Sequence, residues 1–475
     1  MLLTLKTRVL SKGISLLSKV LACAPVSGAV VLWGCGGGAV QGSESSGSDS
    51  TYTASIPPAP QDSASTWTQE ELERVSLEIQ GDVEKLRGAQ FQGAVPVRLS
   101  SKEQFVTYAL ERTERMEPKS KRAADETIQK MLGLIPPDMD LLTGTMRMLQ
   151  DQVGGFYDPT TKTFYLMDNC PEGLAKIVLA HELGHALDDQ LYDIDGTLKQ
   201  VAERSDMALA YQSVVEGSGT AVMARWTKEH MKPMELLRMS SMEAEQTASM
   251  ARSPMILWKP LMSAYLKGAA FLARTDNVMR GQMASGTNAD IEQAFRFPPK
   301  SSEQILHPAK YWDKDSRDEP VAVQQSVNEA VLGDWKVLRR DVMGELALAI
   351  WCIVPAQRST VGGKDIANAV GMDYTSPAAE GWGGDEILLL GTEQGARILR
   401  WVSAWDTARD AAEFFGAASM VLPTLEEPLT TLAGGKSSQT VTSIRYGGEL
   451  EVIIELGYGA RGSELKKLLG EIAGR

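Results

Sequence analysis

Hydrophobic residues recur every three or four positions along much of this chain, which is the spacing of a buried helix face. Residues 68–86 show this spacing and predict a helix. Residues 96–115 predict a short strand, a serine cap and another helix. Residues 204–231 predict a long helix interrupted by small residues, and the methionine-rich residues 232–300 have a mostly helical pattern. The pattern therefore predicts a largely helical protein.

Aromatic and β-branched stretches predict two groups of strands. Residues 154–168 hold two β-prone runs around the turn sequence Asp-Pro-Thr-Thr, which predicts a β-hairpin. After residue 380, four apolar runs, with a helical stretch between the second and the third, predict a smaller unit of strands and helix. Together the two patterns predict an α+β fold that is predominantly helical, with a small sheet and a C-terminal α+β subdomain.

The N-terminus has the composition of an export signal. Residues 1–34 place four cations and no acidic residue around and ahead of an apolar run, which is the order of a secretory signal. The apolar run is too short to span a membrane. It ends at Leu-Trp-Gly-Cys35, which is similar to a bacterial lipoprotein cleavage box. We favour Cys35 over Cys23 as the lipidated residue, while an ordinary secretory signal or a short N-terminal anchor stays open.

Lipidation at Cys35 predicts an exported protein of the bacterial cell envelope that contacts the membrane without spanning it. Residues 35–66 are rich in Gly, Ser and Pro and predict a disordered tether. We divide the rest of the chain into a main domain at 67–355 and the C-terminal subdomain at 356–475. The net charge of −13 argues against nucleic-acid binding, which needs clustered Lys and Arg.

The chemistry of the chain is concentrated in AHELGHALDDQ, residues 180–190. The chain has four histidines, and two of them, His181 and His185, lie four positions apart. Residues at this spacing lie on one side of a helix, about 6 Å apart along its axis. The two imidazoles can therefore bind one Zn²⁺ ion, with Glu182 beside them as general base for a zinc-bound water. Two ordinary helix histidines are the plainer alternative.

A catalytic zinc site needs a third protein ligand, and Glu216 is the best candidate. It lies on the long helix predicted at residues 204–231, next to Gly217, Ser218 and Gly219. These small residues allow that helix to lie close to the helical segment that carries HELGH. Apolar neighbours on both sides of Glu216 predict burial, which is costly for a lone carboxylate.

Other candidate ligands fit less well. The longer motif of one class of zinc proteases requires Gly at position 188 and His or Asp at position 191, where this chain has Asp and Leu. Cys170 lacks the glycine- and leucine-rich neighbourhood that a cysteine zinc ligand would need. Sequence alone leaves open whether Cys170 forms a disulfide with Cys352. His230 lies 14 residues beyond Glu216, which is about 21 Å along a continuous helix.

The HExxH motif followed by a helical glutamate resembles the gluzincin, or thermolysin-type, metallopeptidases. More narrowly, HELGHALDDQLYDI together with VVEGSG, AYLKGAAFL, PPKSSEQILHPAKYW, GWGGDEILLL and WDTARDAAEFF resembles a group of secreted bacterial HExxH proteins. The resemblance implies a zincin-like fold and zinc, but not a substrate. The predicted strand that leads into the helix with HELGH is an arrangement shared by zinc proteases, whose edge strand can pair with an extended substrate backbone. Thermolysin carries an Asp four residues after its glutamate ligand, whereas Thr220 occupies that position here. Three other carboxylates are substitutes that sequence cannot rank: Asp188, Asp189 and Asp206.

The resulting hypothesis is a zinc metallopeptidase that hydrolyses a peptide or protein substrate. His181, His185 and Glu216 would bind the ion. A second donor to the oxyanion is also needed, and His307 is the first candidate, followed by Tyr311 and Tyr211. Two alternatives stay open: a non-catalytic surface lipoprotein that uses the fold for binding or assembly, and a zinc hydrolase of non-peptide amides or esters. Within GWGGDE, we expect Trp382 to pack against a turn that Asp385 caps or orients.

Overall fold

The computed structural model describes most of the chain after residue 66. The described residues are 67–150, 153–232, 250, 252–327, 332–358 and 371–473. The predicted signal and tether, including Cys35, lie outside them. Across these described ranges, no helix has both the length and the apolar character needed to cross a membrane.

Helices dominate the chain before residue 320. They are α1 Gln69–Arg87, α2 Lys102–Met116, α3 Lys119–Met131, α4 Leu141–Gln150, α5 Glu172–Tyr192, α6 Ile194–Val201, α7 Ser205–His230, α8 Met255–Leu272, α9 Val278–Ala284, α10 Asn288–Arg296, α11 Ser302–Leu306 and α12 Ala309–Trp312. The later helices are α13 Gly344–Trp351, α14 Pro355–Arg358, α15 Ala408–Val421, α16 Glu426–Leu432 and α17 Gly462–Ala473, and short 3₁₀ turns lie at Leu422–Leu425 and Ser437–Gln439.

Two sheets accompany these helices. The smaller sheet has the order β1-β3-β2, with β1 parallel and β2 antiparallel to β3. The larger sheet is antiparallel, with the order β4-β5-β6-β8-β7. The strands are β1 Val97–Ser100, β2 Gly155–Asp158, β3 Thr163–Met167, β4 Lys336–Asp341, β5 Trp382–Gly391, β6 Arg397–Trp405, β7 Thr440–Gly448 and β8 Glu451–Tyr458. The predicted α+β fold, predominantly helical, is confirmed.

Local sequence signals explain where many of these elements begin. Ser101 and Gln104 form a capping box at the start of α2, in which each side chain satisfies a backbone N–H of the other residue. The predicted hairpin at residues 154–168 is β2 and β3, paired from Gly155–Leu166 to Asp158–Thr163. Pro171 is the N-cap of α5, the helix that carries HELGH.

Two details differ from the sequence prediction. The helix predicted at residues 204–231 is not interrupted, because α7 runs continuously from Ser205 to His230. Its central small residues lie against neighbouring helices, and tertiary packing outweighs their low helix propensity. The larger sheet also has a strand that sequence analysis missed, β4, which precedes residue 356 and pairs with β5. The exposed and partly charged sequence of β4, KVLRRD, gives no alternating apolar signal.

One hydrophobic core joins the helical part to the face of the larger sheet. Leu183 of α5, Trp351 of α13 and Trp401 of β6 all belong to it. The Trp351 and Trp401 rings meet edge to face, with their centroids 5.1 Å apart. The other face of the sheet packs against α17 through a separate cluster that includes Leu465 and Leu469.

The Asp385 carboxylate is the polar centre of this junction. Both Trp382 and Asp385 lie in strand β5 and not in the turn that the sequence predicted, although Asp385 does accept a hydrogen bond from the Trp382 indole. It is buried and accepts hydrogen bonds from the backbone N–H groups of Met343 and Gly344 and from the indole N–H groups of Trp382 and Trp401. An Asp385→Ala variant leaves these buried donors without their acceptor, and each such loss costs about 1–3 kcal/mol. We expect the free energy of unfolding to fall by roughly 3–5 kcal/mol in urea titrations.

The matched control for that variant is Glu393→Ala. Glu393 pairs with Lys336 on the surface, where both side chains are exposed. Surface pairs of this kind contribute little, so the free energy of unfolding should change by less than about 0.5 kcal/mol. Equal effects of the two substitutions would show that Asp385 does not anchor the junction.

Candidate metal centre

The crossing of α5 and α7 brings His181, His185 and Glu216 together. His181 Nε2 lies 2.9 Å from His185 Nε2 and 3.2 Å from Glu216 Oε2. His185 Nε2 lies 3.4 Å from the same carboxylate oxygen. The three side chains form a buried group that could hold one metal ion. The structure therefore brings together the residues that the sequence proposed as ligands.

The separations among the three ligand atoms suit a small tetrahedral ion. Zinc bonds to His nitrogen and carboxylate oxygen are about 2.0–2.1 Å, which puts neighbouring ligand atoms roughly 3.3 Å apart. The donor set of two imidazoles and one carboxylate is also a known catalytic zinc set. Glu216 Oε1 is buried and has no hydrogen-bond partner among the described residues. An unpartnered buried carboxylate oxygen is costly, and a cation would offset that cost.

Burial and mutual contact determine the charges of the three side chains. Burial, and to a smaller extent the charge of the neighbouring His185, lowers the pKa of His181 to about 4. Burial also opposes ionisation of His185 and Glu216, but the contacts between them outweigh it. The pKa of His185 is therefore raised and that of Glu216 lowered. At neutral pH His181 is thus neutral, as a metal ligand must be, and Glu216 is ionised.

Small residues of α7 allow this close crossing, but each has a different neighbour. A Cβ atom at Gly219 would lie 2.7 Å from His185 Cε1 and 2.8 Å from His181 Cε1, so the missing side chain leaves room for both rings. A Cβ atom at Gly217 would instead lie 2.5 Å from the Gly268 carbonyl carbon, on α8. The prediction that all three small residues serve the approach of α5 is therefore correct only in part.

Ser218 serves a third purpose, through Asp188. Its hydroxyl donates to Asp188 Oδ2, and the Arg87 guanidinium donates to Asp188 Oδ1, with both contacts at 2.5 Å. All three residues are buried, and the Asp188 charge is one of the causes that raise the pKa of His185. Among the three carboxylates proposed as supports, Asp188 is therefore the one whose charge acts on a ligand, but none of the described hydrogen bonds joins it to His181 or His185.

The other two proposed carboxylates stabilise different parts of the fold. Asp189 accepts hydrogen bonds from the Tyr157 hydroxyl, the Lys162 ammonium and the Ile194 backbone. Asp206 accepts the backbone N–H of Ser302 at the start of α11. Thr220, one turn after Glu216, is buried.

Glu182 lies inside the same crossing and is fully buried. Its negative charge is one of the causes that raise the pKa of the adjacent His185. His181, Glu182 and Glu216 have no exposed surface, and His185 is 2% exposed. The centre is therefore closed to solvent in this structure.

The smaller sheet is also closed at both edges in the described structure. Every residue of β2 is buried. At the other edge, the Gln69 side chain donates to Val97 O and accepts from Leu99 N of β1. The order of strand and helix predicted that an edge strand pairs with substrate, but neither described edge of this sheet is open in this conformation.

His307, predicted as the oxyanion donor, pairs with a buried carboxylate. Its Nε2 lies 2.9 Å from Glu345 Oε1, and Thr375 donates to the same oxygen. Burial lowers the pKa of His307, but the contact with Glu345 outweighs this and raises it. None of the hydrogen bonds described for the chain joins His307 to His181, His185 or Glu216, so its role stays a prediction.

The two tyrosines proposed behind His307 are also buried. The Tyr311 hydroxyl donates to Phe297 O at 2.6 Å. Tyr211 lies on α7 before Glu216 and meets the Phe295 ring edge to face. His230, which sequence reasoning excluded, stacks on Trp226 and lies 3.4 Å from Asp82.

Tyr265 is the residue that sequence reasoning missed. Its ring stacks on the His181 imidazole with the centroids 5.6 Å apart and an interplanar angle of 22°. Tyr265 lies within AYLKGAAFL, a stretch that sequence analysis used only as part of the family resemblance. The helical spacing of three residues to Gly268 was the available signal, since a glycine in an apolar helix marks a close contact.

No disulfide joins Cys170 and Cys352 in the described structure. Burial raises the pKa of each to about 12, so neither is a thiolate at neutral pH. Cys170 is not part of the His181, His185 and Glu216 group. The two cysteines are therefore not paired with each other in the described structure.

A second acidic group, made of Glu303, Asp318 and Asp406, binds the ammonium of Lys310 instead of offering an open site. Lys310 Nζ lies 2.5 Å from Glu303, 2.8 Å from Asp318 and 2.9 Å from Asp406. Burial opposes the charge of Lys310, but the three carboxylates outweigh it and raise its pKa. The group therefore ties α12 to the end of β6.

Comparison with known proteins adds one finding. Residues 334–451 match the model of a domain of unknown function (DUF8575). The match begins just before β4 and ends at the first residue of β8, so it covers most of the larger sheet and none of the metal-centre residues. No curated protein and no solved structure matches the chain.

Proposed function

We propose that the protein is a zinc-dependent peptidase with a zincin-like catalytic domain. The observation that carries the proposal is the convergence of His181 Nε2, His185 Nε2 and Glu216 Oε2 within 3.4 Å of one another, beside Glu182. Two imidazoles and a carboxylate suit zinc, and a glutamate next to the first histidine is the base that such a site needs. The sequence resemblance to gluzincins supports the same reading.

The proposed reaction is the addition of water to a peptide carbonyl, followed by cleavage of the C–N bond. Zinc, when bound, supplies Lewis-acid polarisation. Glu182 accepts the proton of the attacking water and delivers it to the leaving nitrogen. His307, held by Glu345, is the proposed donor to the developing oxyanion. A non-peptide amide or ester would react by the same proton transfers.

Complete burial of the centre favours a second candidate function. A structural zinc site is closed, whereas a catalytic site keeps a position open for substrate. His181, Glu182 and Glu216 have no exposed surface. The alternative is therefore a protein that uses a metal-stabilised fold for binding or assembly. Glu182 favours the enzyme, because a structural site has no need of a general base.

We also propose that the chain is exported and lipid-anchored through Cys35, with a peptide or protein as its substrate. The cationic and apolar order of residues 1–34 and the tether at 35–66 support this location. The net charge of −13 argues against nucleic acid as a partner.

Metal analysis tests the proposed function directly. The purified wild-type protein should contain about one zinc per chain, and Glu216→Ala should fall to well under half of that content after the same chelator dialysis. The control is Glu303→Gln, which changes a buried glutamate of the Lys310 group and should keep its zinc. Wild-type protein without zinc, or Glu216→Ala with a full complement, would contradict the ligand set.

A further inference from the structure

A third helix, α8, lies against the metal centre and contributes an aromatic ring to it. Tyr265 of α8 stacks on His181, with ring centroids 5.6 Å apart and planes 22° from parallel. Tyr265 is 2% exposed and His181 is fully buried. The contact is therefore an internal one, and solvent does not compete with it.

Backbone contact between α7 and α8 fixes the position of the tyrosine. A Cβ atom at Gly217 would lie 2.5 Å from the Gly268 carbonyl carbon, and one at Gly268 would lie 2.0 Å from Ser213 O. Only glycines allow the two helices to lie so close. Tyr265 precedes Gly268 by about one turn of α8, and Gly217 directly follows Glu216. The crossing that brings the two helices into contact therefore also places Tyr265 beside the ligands.

His181 is confined by this ring and by the backbone of α7. A Cβ atom at Gly219 would lie 3.0 Å from His181 Nδ1, so the backbone lies directly against that edge of the imidazole. Tyr265 covers one face of the ring. The torsion about the Cβ–Cγ bond of histidine is intrinsically broad, and a small turn about it moves Nε2 away from Glu216. Packing must therefore hold the imidazole plane.

We propose that Tyr265 is a positioning residue of the metal centre, which holds the His181 imidazole so that Nε2 faces the site shared with His185 and Glu216. The inference rests on the proposed function, because it requires a metal ion at those ligands. The stacked aromatic ring holds the imidazole in this proposal. Phenylalanine at position 265 should therefore preserve metal binding, whereas a flexible side chain of similar volume should not.

The test compares Tyr265→Met and Tyr265→Phe with the wild-type chain. Zinc affinity is measured by competition with a chromophoric chelator, and ligand geometry by the visible absorption spectrum of the Co²⁺-substituted protein. We expect Tyr265→Met to bind zinc about 10–100-fold more weakly and to shift the Co²⁺ bands. Tyr265→Phe should keep the wild-type affinity and spectrum.

The matched control is Phe271→Met, on the same helix. Phe271 is fully buried and packs on Tyr311 and Trp312, and none of the described ring contacts joins it to His181 or His185. Its affinity and spectrum should stay unchanged, while its thermal stability should fall as far as that of Tyr265→Met. Equal loss of affinity in both methionine variants would overturn the inference. If Tyr265→Met does not fold, Tyr265→Leu is measured in its place.

The remaining outcomes separate the inference from the proposed function. A wild-type chain that binds zinc, with a Tyr265→Met variant of equal affinity and spectrum, overturns the role of Tyr265 alone. A folded wild-type chain that takes up neither zinc nor Co²⁺ overturns both.

Discussion

Glu182→Gln should slow peptide hydrolysis severely and leave the zinc in place. Glutamine keeps the size of the side chain but cannot accept the proton of the attacking water. General base catalysis contributes about 10²–10⁴-fold to rate, so we expect kcat to fall by about a thousandfold. Glu182 is not among the three ligands of the metal group, so metal content should match that of the wild type. Cleavage of a quenched fluorescent unfolded protein and elemental analysis measure the two effects.

Glu172→Gln is the matched control, because it makes the same chemical change at the start of the same helix. Glu172 is exposed and pairs with Lys176 one turn later. Its variant should hydrolyse peptides at the wild-type rate. A Glu182→Gln protein that retains the wild-type rate would remove Glu182 from the mechanism. A wild-type protein that binds zinc but cleaves no peptide would favour the structural alternative or a non-peptide substrate.

The ligands could be predicted from sequence because their geometry is local or nearly so. His181 and His185 are one helical turn apart, and helix geometry alone places them on one side. Glu216 was found because apolar and small neighbours marked its helix as buried. Its contact with the histidines is a tertiary interaction. The sequence suggested this contact, and the structure shows it.

The surroundings of the ligands depend on contacts between segments far apart in the chain. The Asp188 carboxylate meets Arg87, 101 positions away, and Tyr265 reaches His181 from a helix that carries no metal motif. No spacing rule connects such residues. The same limit explains why sequence could not rank Asp188, Asp189 and Asp206, since only their partners in the folded chain distinguish them.

Fold prediction succeeded where a periodic pattern or a turn signal was strong, as in the hairpin of β2 and β3 and the strands β5 to β8. It failed at β4, where Arg339 of the strand forms an ion pair with Asp125 of α3 at 2.8 Å. Both side chains are buried, so a polar interaction replaces the apolar alternation that identifies most strands. The charged sequence of β4 therefore gave no strand signal.

Gly219→Ala should greatly weaken metal binding by adding a single methyl group. The new Cβ atom would lie 2.7 Å from His185 Cε1 and 2.8 Å from His181 Cε1, where carbon atoms normally keep about 3.5–4.0 Å. The rings or the helix must move by roughly 1 Å to restore that spacing. Both imidazoles would then leave the positions they share with Glu216. We expect zinc affinity to fall at least about a hundredfold, as measured by chelator competition.

Helix propensity alone predicts that Gly219→Ala stabilises α7, whereas packing at the crossing predicts that it destabilises the protein. The measurement therefore distinguishes the two effects. Alanine favours a helix by about 1 kcal/mol over glycine, so α7 by itself would gain stability. The overpacked crossing should cost about 1–3 kcal/mol. Gly184→Ala is the control, because its Cβ atom would lie 3.4 Å from Val222, close to ordinary contact. That variant should keep its zinc, and a Gly219→Ala protein with the same affinity as Gly184→Ala would mean that the two imidazoles do not bind the ion from their described positions.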